Sequence, residues 1–271
     1  MNKKTILITT LLMLLLAMLY GCGQNVADEE AVGDDQPVVK VGCDDYSPFS
    51  YTDEDGIVTG IDVELAREAF ARMGYKPKFV FINWEDKDRL LADGDIDCIW
   101  SSFTETGRED QYAWAGPYMK SNQVIAVRED SNIYSLADLE DKIMVVQSTT
   151  KPEDVIKKHD GSLPPLEKVI SVQKRDLAFM MLAKGYADAM AGHNTVIEEC
   201  IRNTNLKVRI LEQPLQSVGV GVAFAKDDAR GIHVQLGKVL REMRADGTTE
   251  QIIGKYFSNP ERYLEEPNEG N

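Results

Sequence analysis

The chain has 271 residues, of which 43% are hydrophobic and 28% are charged, as is typical of a folded globular protein and not of a disordered or fibrous one. It carries 30 Lys and Arg against 45 Asp and Glu, so its formal net charge of −15 repels phosphate backbones and argues against nucleic acid as a partner. Three scattered His and four Cys suggest neither a His-rich metal cluster nor a disulfide scaffold, so no metal or cofactor is expected.

The N-terminus has the pattern of a targeting segment. Lys3 and Lys4 precede an uncharged, mostly aliphatic run over residues 6–20, which is short for a spanning helix but suits a secretory signal. The following Gly-Cys resembles a bacterial lipobox, which predicts a signal peptide over residues 1–21 and lipidation of Cys22. The alternative is an uncleaved anchor with an incidental Cys. Both place the body outside the cytoplasmic membrane.

An acidic segment separates this signal from the body. Residues 22–37 contain five acids and no base, which predicts a flexible linker. Removal of residues 1–21 takes away two Lys and no acid and leaves a net charge of −17. Anionic lipid surfaces repel such a body, so we expect the attached lipid, and not charge, to hold the protein at the membrane.

From Val38 onward, short apolar strands alternate with amphipathic helices, the pattern of a parallel sheet covered by helices. Strands are predicted over residues 38–42, 78–82, 97–100, 123–128, 143–147, 168–172, 187–191 and 218–225. Helices are predicted over residues 62–73, 87–92, 152–159, 175–184, 228–245 and 249–257, with a short helix that opens at 135–138.

The same α/β pattern occurs on both sides of Gln123, which favours two lobes. The last strand and helices have no sheet of their own, so we expect them to return to the first lobe. Lobe 1 is then residues 38–125 plus 219–271, and lobe 2 is residues 126–218. Two hinge crossings place a ligand cleft between the lobes, at the carboxyl ends of the strands.

Eight short motifs occur in order over about 200 residues. They are residues 41–51, 60–65, 91–97, 101–108, 117–118, 146–150, 185–189 and 245–248. Together they resemble the extracytoplasmic solute-binding proteins of family 3, the receptors of polar amino-acid ABC importers. The resemblance implies a two-lobed, type II periplasmic-binding-protein fold, a small amino acid or carboxylate as ligand and an ABC transporter permease as partner. It also implies a lipid-anchored monomer on the extracytoplasmic face of the cell membrane, with no catalytic residues.

Arg108 follows the third strand, where its guanidinium can hold a carboxylate with two parallel hydrogen bonds. The resemblance implies that it binds the ligand's α-carboxylate; the alternative is a surface Arg paired with Glu105 or Asp110. Thr149 and Thr150 precede a helix whose N-terminal amides favour an anion, although Thr150 can equally be a simple N-cap.

Hydroxyl and aromatic side chains complete the site that the resemblance implies. Ser101, Ser102 and Thr104 form the polar cage, unless they are ordinary loop hydroxyls. The walls of the pocket are Tyr46 and Trp84, whereas Phe49 is expected in the core. Asp44 matches an acid that meets cationic side chains in some relatives.

His193 departs from the family pattern. Relatives carry an Asp five residues beyond the position of Asp188, and that Asp pairs with the ligand's α-ammonium. A neutral His accepts a hydrogen bond but supplies no counter-charge. Either another acid (Asp44, Asp45 or Glu198) substitutes, or the ligand is not an ordinary α-amino acid, and a carboxylate-rich ligand is one possibility.

Two alternatives to a transport receptor stay open. One is a ligand-sensing extracytoplasmic protein. The other is a dehydratase-like enzyme on the same scaffold, in which His193 acts as acid or base, although no second titratable group is placed beside it. Cys43, Cys98 and Cys200 remain after lipidation of Cys22 and are expected to be free thiols, because adjacent parallel strands rarely permit a disulfide.

Overall fold

The alternation of strands and helices is confirmed in the computed structural model, which describes residues 36–158 and 161–264. The predicted signal peptide 1–21, Cys22 and all but the last two residues of the linker 22–37 lie outside the described residues, as does His159. In the described part, no helix is long and apolar enough to cross a membrane.

The strands and helices have the following bounds. The strands are β1 (Val38–Cys43), β2 (Tyr51–Thr52), β3 (Val58–Thr59), β4 (Lys76–Phe81), β5 (Cys98–Thr104), β6 (Ala113–Arg128), β7 (Ile143–Gln147), β8 (Lys168–Val172), β9 (Ala189–His193), β10 (Val208–Ile210) and β11 (Gln216–Phe224). The helices are α1 (Ile61–Arg72), α2 (Lys87–Ala92), α3 (Lys151–Lys158), α4 (Arg175–Ala183), α5 (Asn194–Asn203), α6 (Ile232–Ala245) and α7 (Thr248–Gly254). Short 3₁₀ turns lie at Trp84–Asp86, Leu136–Leu139 and Pro260–Tyr263.

The main sheet has the strand order β4-β1-β5-β11-β6-β9-β7-β8, with β10 paired to β6. It is mixed, so the expectation of a parallel sheet is wrong for part of it: β11 is antiparallel to β5 and β6, and β6 is antiparallel to β9 and β10. The apolar runs that predict strands carry no information on strand direction, which the long-range pairing of β6 and β11 decides.

Strand β6 is longer than predicted, because the sequence pattern indicates only residues 123–128. Gly116 and Pro117 interrupt the apolar alternation in its first half, yet this half pairs with β11. The strand changes partner at Gln123, whose Cα is paired both with Gln216 of β11 and with His193 of β9. Gln123 therefore lies where the two parts of the sheet meet.

Two predictions near His193 are corrected. The strand expected at 187–191 is β9, two residues further along, so His193 ends a strand and does not follow one. Helix α5 and strand β10 were not predicted, because their polar residues obscure the apolar spacing. The last predicted strand, residues 218–225, is confirmed as β11, which pairs with both β5 and β6.

Apolar side chains fill both faces of the sheet. Along β6, Val124 and Ala126 belong to one buried cluster and Ile125 and Val127 to another, because alternate residues of a strand face opposite sides. The other end of the sheet is covered by α1, α6 and α7. Four buried side chains on the inner face of α1 are Leu65, Ala66, Ala69 and Phe70.

Candidate functional site

One cavity is lined by nine of the ten residues predicted to bind ligand. These nine are Asp44, Tyr46, Trp84, Ser101, Ser102, Thr104, Arg108, Thr150 and His193. Thr149 is the exception, although its carbonyl oxygen lies 3.5 Å from Nη2 of Arg108, which lines the cavity. Most lining residues come from the carboxyl ends of β1, β4, β5, β7, β8 and β9, or from the turns and helices that follow them, whereas Gln123 lies within β6. Strand ends meet there because β4, β1 and β5 run parallel to one another, as do β8, β7 and β9.

Arg108 lies in the turn after β5 and is 6% exposed. Its Nη2 donates to Asp154 Oδ2 of α3 at 2.5 Å and lies 3.5 Å from the carbonyl oxygen of Thr149. The guanidinium carbon is 5.1 Å from the centre of the Phe103 ring. Neither Glu105 nor Asp110 pairs with Arg108, so the alternative of a surface ion pair with them is wrong.

The start of α3 differs from the expected cap. The Thr150 hydroxyl donates to the Gln147 carbonyl at 2.6 Å, so it does not cap the helix as predicted. Instead, the Glu153 carboxylate accepts from the backbone N–H of Thr149 at 2.8 Å. Lys87 Nζ lies 3.0 Å from Thr149 Oγ1, and burial lowers the pKa of this amine. Thr149 is held in the left-handed region, with φ of +57°.

Three hydroxyls lie along the last residues of β5. Ser101 Oγ accepts from the backbone N–H of Asp44 at 3.1 Å. The Ser102 hydroxyl has no hydrogen-bond partner among residues 36–158 and 161–264, and its backbone has φ of +47°. Thr104 Oγ1 lies 3.4 Å from His193 Nε2. Ser102 and Thr104 both line the cavity and are buried, so neither is an ordinary solvent-exposed loop hydroxyl.

A buried acid accepts a hydrogen bond from the backbone of Ser102. Asp62 is 1% exposed and accepts from the Ser102 backbone N–H at 2.6 Å and from the Tyr118 hydroxyl at 2.7 Å. Burial raises the pKa of Asp62 to about 7, and the hydrogen bonds from Tyr118 and Ser102 oppose that rise.

Aromatic rings form two walls. The Arg175 guanidinium stacks 4.7 Å from the Tyr46 ring centre, and Trp84 lies edge-on to Phe103 at 5.3 Å. Trp84 Nε1 is buried without a partner in the described structure. Phe49 is fully buried in the core, which is where it was expected.

Asp44, directly after β1, contacts a residue at the end of β7 on the other side of the cavity. Its Oδ2 accepts from Gln147 Nε2 at 2.9 Å, and burial raises the pKa of this carboxyl group despite that hydrogen bond and the nearby Arg175. Other hydrogen bonds across the cavity join the turn that follows β4 to residues that follow β7 and β8. Ser148 Oγ donates to Glu85 Oε1 at 2.5 Å, and Gln173 Nε2 donates to Glu85 Oε2 at 2.6 Å.

The tautomer of His193 follows from a chain of hydrogen bonds. Asn194 Oδ1 accepts from the backbone N–H of Asn122 at 3.1 Å and from the Ser121 hydroxyl at 3.2 Å. Ser121 thus uses its only proton, so it accepts from His193 Nδ1 at 2.8 Å. His193 Nε2 is then the acceptor for Gln123 Nε2 at 3.0 Å. Burial, and then the Arg108 charge, lower the pKa of His193 to about 3, so the ring is neutral.

Four polar lining residues were not predicted: Gln123, Gln147, Lys151 and Arg175. Arg175 and Lys151 begin helices that follow β8 and β7, so the convergence of strand ends at one edge was a signal that could have identified them. Gln147 ends β7 and carries the same signal. Gln123 lies within a strand and carries none.

The described residues contain no group of three or more His, Cys, Asp or Glu positioned to hold a metal ion. Cys43, Cys98 and Cys200 are free thiols; the first two are buried and the third is half-buried. Cys22 lies outside the described residues.

Comparison with known proteins identifies the family of this chain. The model of the family described as bacterial extracellular solute-binding proteins, family 3, matches residues 39–259. The chain is similar to the probable amino-acid-binding protein YxeM of Bacillus subtilis (strain 168), with 28% identity over 262 residues, 95% of this chain and 96% of that protein.

Solved structures are similar over most of the chain. A mutant of ArgBP from T. maritima is 32% identical, with a TM-score of 0.73 over 82% of this chain and 95% of that one. An ancestral amino acid-binding protein, AncCDT-1, described as a precursor of cyclohexadienyl dehydratase, is 30% identical, with a TM-score of 0.72 over 81% of this chain and 95% of that one. The expected α/β periplasmic-binding-protein fold is thereby confirmed. The chain belongs to the bacterial extracellular solute-binding proteins, family 3.

Proposed function

We propose that the protein is the substrate-binding receptor of an ABC importer and that it binds a small polar amino acid or a related carboxylate. The observation that carries this proposal is the buried Arg108 guanidinium at the cavity, which has donors to spare beyond its bond to Asp154. Similar proteins are named for binding amino acids, among them YxeM and arginine-bound structures of ancestral and bacterial proteins. In this proposal Arg108 receives the ligand's carboxylate.

The other predicted residues surround the same ligand. Unpartnered polar atoms at Trp84 Nε1, Ser102 Oγ and Gln123 Oε1 support this role, since buried polar groups are normally hydrogen-bonded. We assign ligand contact to Asp44, Tyr46, Trp84, Ser101, Ser102, Thr104, Thr149, Thr150 and His193.

Binding proceeds by closure of two lobes, residues 38–125 plus 219–271 and residues 126–218, with hinges at 124–129 and 213–219. Direct bonds across the cavity support a closed arrangement: Asp44 to Gln147, and Glu85 to Ser148 and Gln173. Hinge closure predicts that these bonds break when the lobes open and that ligand binding favours their formation.

The mature protein is a monomer held on the extracytoplasmic face of the membrane by a lipid on Cys22, after removal of residues 1–21. Residues 22–37 act as the flexible linker, and a permease is the membrane partner. Labelled palmitate supplied to a bacterial expression host tests the anchor: Cys22→Ser is expected to abolish incorporation, and Cys200→Ser to leave it unchanged. Equal labelling of the Cys22→Ser variant contradicts the anchor.

Binding, and not catalysis, is the function of the named relatives, which confirms the expectation of a non-enzymatic protein. AncCDT-1 is itself named an amino acid-binding protein. A sensor that binds the same ligand but has no permease remains the second candidate.

Thermal unfolding of the full chain in detergent tests the proposal. The panel holds the proteinogenic amino acids, cystine, dicarboxylates and other organic acids. A ligand at 100 times its Kd adds about 2.7 kcal/mol, or about 5–10 °C in Tm for a body of this size. Arg108→Ala is expected to weaken binding of that ligand at least about 10-fold. No shift with any compound contradicts the proposal, and unchanged affinity in the variant removes Arg108 from the site.

A further inference from the structure

The proposed function does not specify the chemical class of the ligand. The charged side chains at the cavity reduce the number of classes that fit. Resting on that proposed function, we infer that the cavity selects a small acid with two anionic groups, one at Arg108 and the other at Arg175. A dicarboxylate of the size of glutamate is the ligand class that this arrangement fits.

The charged side chains that line the cavity are three cations and one acid: Arg108, Lys151, Arg175 and Asp44. This excess of positive charge lies in a chain whose formal net charge is −15, so it opposes the overall field of the protein. Asp154 neutralises part of the charge on Arg108. Lys151 is 4% exposed, and burial lowers the pKa of its amine, with Lys158 and Arg108 adding to that effect.

At the position of His193, relatives carry an Asp that pairs with the ammonium group of the ligand. In this protein, that region holds neutral hydrogen-bond acceptors. His193 is neutral, and its Nε2 already accepts from Gln123 Nε2 at 3.0 Å. Gln123 Oε1 is buried and has no partner among the described residues, so it is the acceptor left for a ligand. An ammonium group finds a hydrogen bond there but no negative charge. A ligand with a cationic side chain, such as arginine, adds a further positive charge to a cavity that three cations and one acid line.

Arg175 supplies the second anionic position. Its Nε and Nη1 are buried without hydrogen-bond partners in the described structure, and the guanidinium is fixed by stacking on Tyr46. Only Nη2 has an acidic neighbour within hydrogen-bonding distance, Asp176 at 3.5 Å. Asp44 lies nearby, but its Oδ2 is taken by Gln147. The buried Nε and Nη1 each have an N–H group without an acceptor, so the guanidinium can still donate to an anionic group of a ligand.

Titration calorimetry on the full chain in detergent tests the inference with glutamate and glutamine, which share a shape and differ by one charge. We expect glutamate to bind at least 10-fold more tightly than glutamine and glutarate to bind detectably. Arg175→Gln is expected to reduce glutamate affinity at least 10-fold while glutamine affinity changes less than 3-fold. Arg241→Gln, at an exposed position on α6, is the matched control and is expected to change neither.

Glutamine or arginine binding as tightly as glutamate overturns the inference and leaves the proposed function standing. Binding of glutamate that is unaffected in Arg175→Gln also overturns it. If Arg175→Gln does not fold, Arg175→Lys replaces it, and the comparison of ligands on the unmodified chain still decides. Failure of every amino acid and dicarboxylate to bind that chain overturns the proposed function, and this inference with it.

Discussion

The Asp154 carboxylate on α3 accepts a 2.5 Å hydrogen bond from the Arg108 guanidinium, which follows β5 on the other wall of the cavity. Asp154 is 38% exposed at its side chain, whereas Arg108 is 6% exposed. The Asp154 carboxylate thus occupies part of the Arg108 guanidinium, which we propose binds the carboxylate of the ligand.

Removing this carboxylate is expected to affect the ligand-free protein most. In Asp154→Asn, the buried guanidinium loses its ion pair, and the free energy of unfolding falls by about 1–3 kcal/mol. A bound carboxylate replaces the lost partner, so the ligand-induced rise in Tm becomes larger than in the unmodified protein. Thermal unfolding with and without ligand measures both. Asp130→Asn, at an 86% exposed side chain near Arg128, is the control and should stay within about 0.5 kcal/mol. An equal loss with and without ligand contradicts the idea.

Asp62 predicts a stability that decreases as the pH rises. Its pKa in the folded protein is about 7, against an ordinary value of 3.8, so the folded state retains a proton that the unfolded chain has already lost. Between pH 5 and pH 8 this contribution falls by about 2–3 kcal/mol. Asp62→Asn removes the titration, so its free energy of unfolding should rise relative to the unmodified protein over that range. Denaturant unfolding at several pH values measures the difference, and a constant difference would show that Asp62 is ionised throughout.

The contribution of His193 to stability has the opposite dependence on pH. Its pKa is lowered from 6.5 to about 3, so below pH 6.5 the unfolded chain binds a proton that the folded protein excludes. Stability is therefore lost as the pH falls, by about 2 kcal/mol between pH 8 and pH 5. In His193→Gln this loss should vanish, which leaves the contribution of Asp62 visible. The same unfolding series measures it, and an unchanged slope in the variant contradicts the neutral assignment.

Gly107 precedes Arg108 and tests the position of Lys151. Its φ is +76°, and a Cβ there would lie 2.5 Å from Lys151 Nζ. Gly74 has φ of +77° with no atom within 4 Å, so it is a matched control for backbone strain. Both Gly→Ala variants should lose about 1–2 kcal/mol of stability. Only Gly107→Ala should also weaken ligand binding, because it moves the Lys151 amine. Equal affinities in the two variants, measured by calorimetry, would exclude Lys151 from the site.

Local patterns predict those parts of the fold that local sequence determines. Strand β7 matches the predicted residues 143–147, since a short apolar run is bounded by polar turns. Helix α1 lies within one residue of its predicted bounds, and Gly74 adopts a positive φ beyond its end. The first half of β6 was missed because Gly116 and Pro117 interrupt its pattern, and its pairing with β11 spans about 100 residues of chain.

The residues of the candidate site also divide into those that local sequence predicts and those that it does not. Arg108 and the hydroxyls in the last residues of β5 were found because they belong to motifs that resemble a known family. Gln123 and Arg175 were missed, since a buried polar side chain is defined by partners that are distant in sequence. The ion pair of Arg108 with Asp154 was also missed, because it joins residues 46 positions apart across the cavity.

Gln123 has consequences for how such a protein can evolve. Its backbone is the point at which β6 exchanges β11 for β9, and its side chain carries an acceptor on the cavity wall. In the proposed receptor, a substitution at Gln123 changes a group that faces the ligand at the residue where the two parts of the sheet are joined. We expect ligand choice and the ease of ligand release to be inherited together at this position, so that selection on one trait also changes the other.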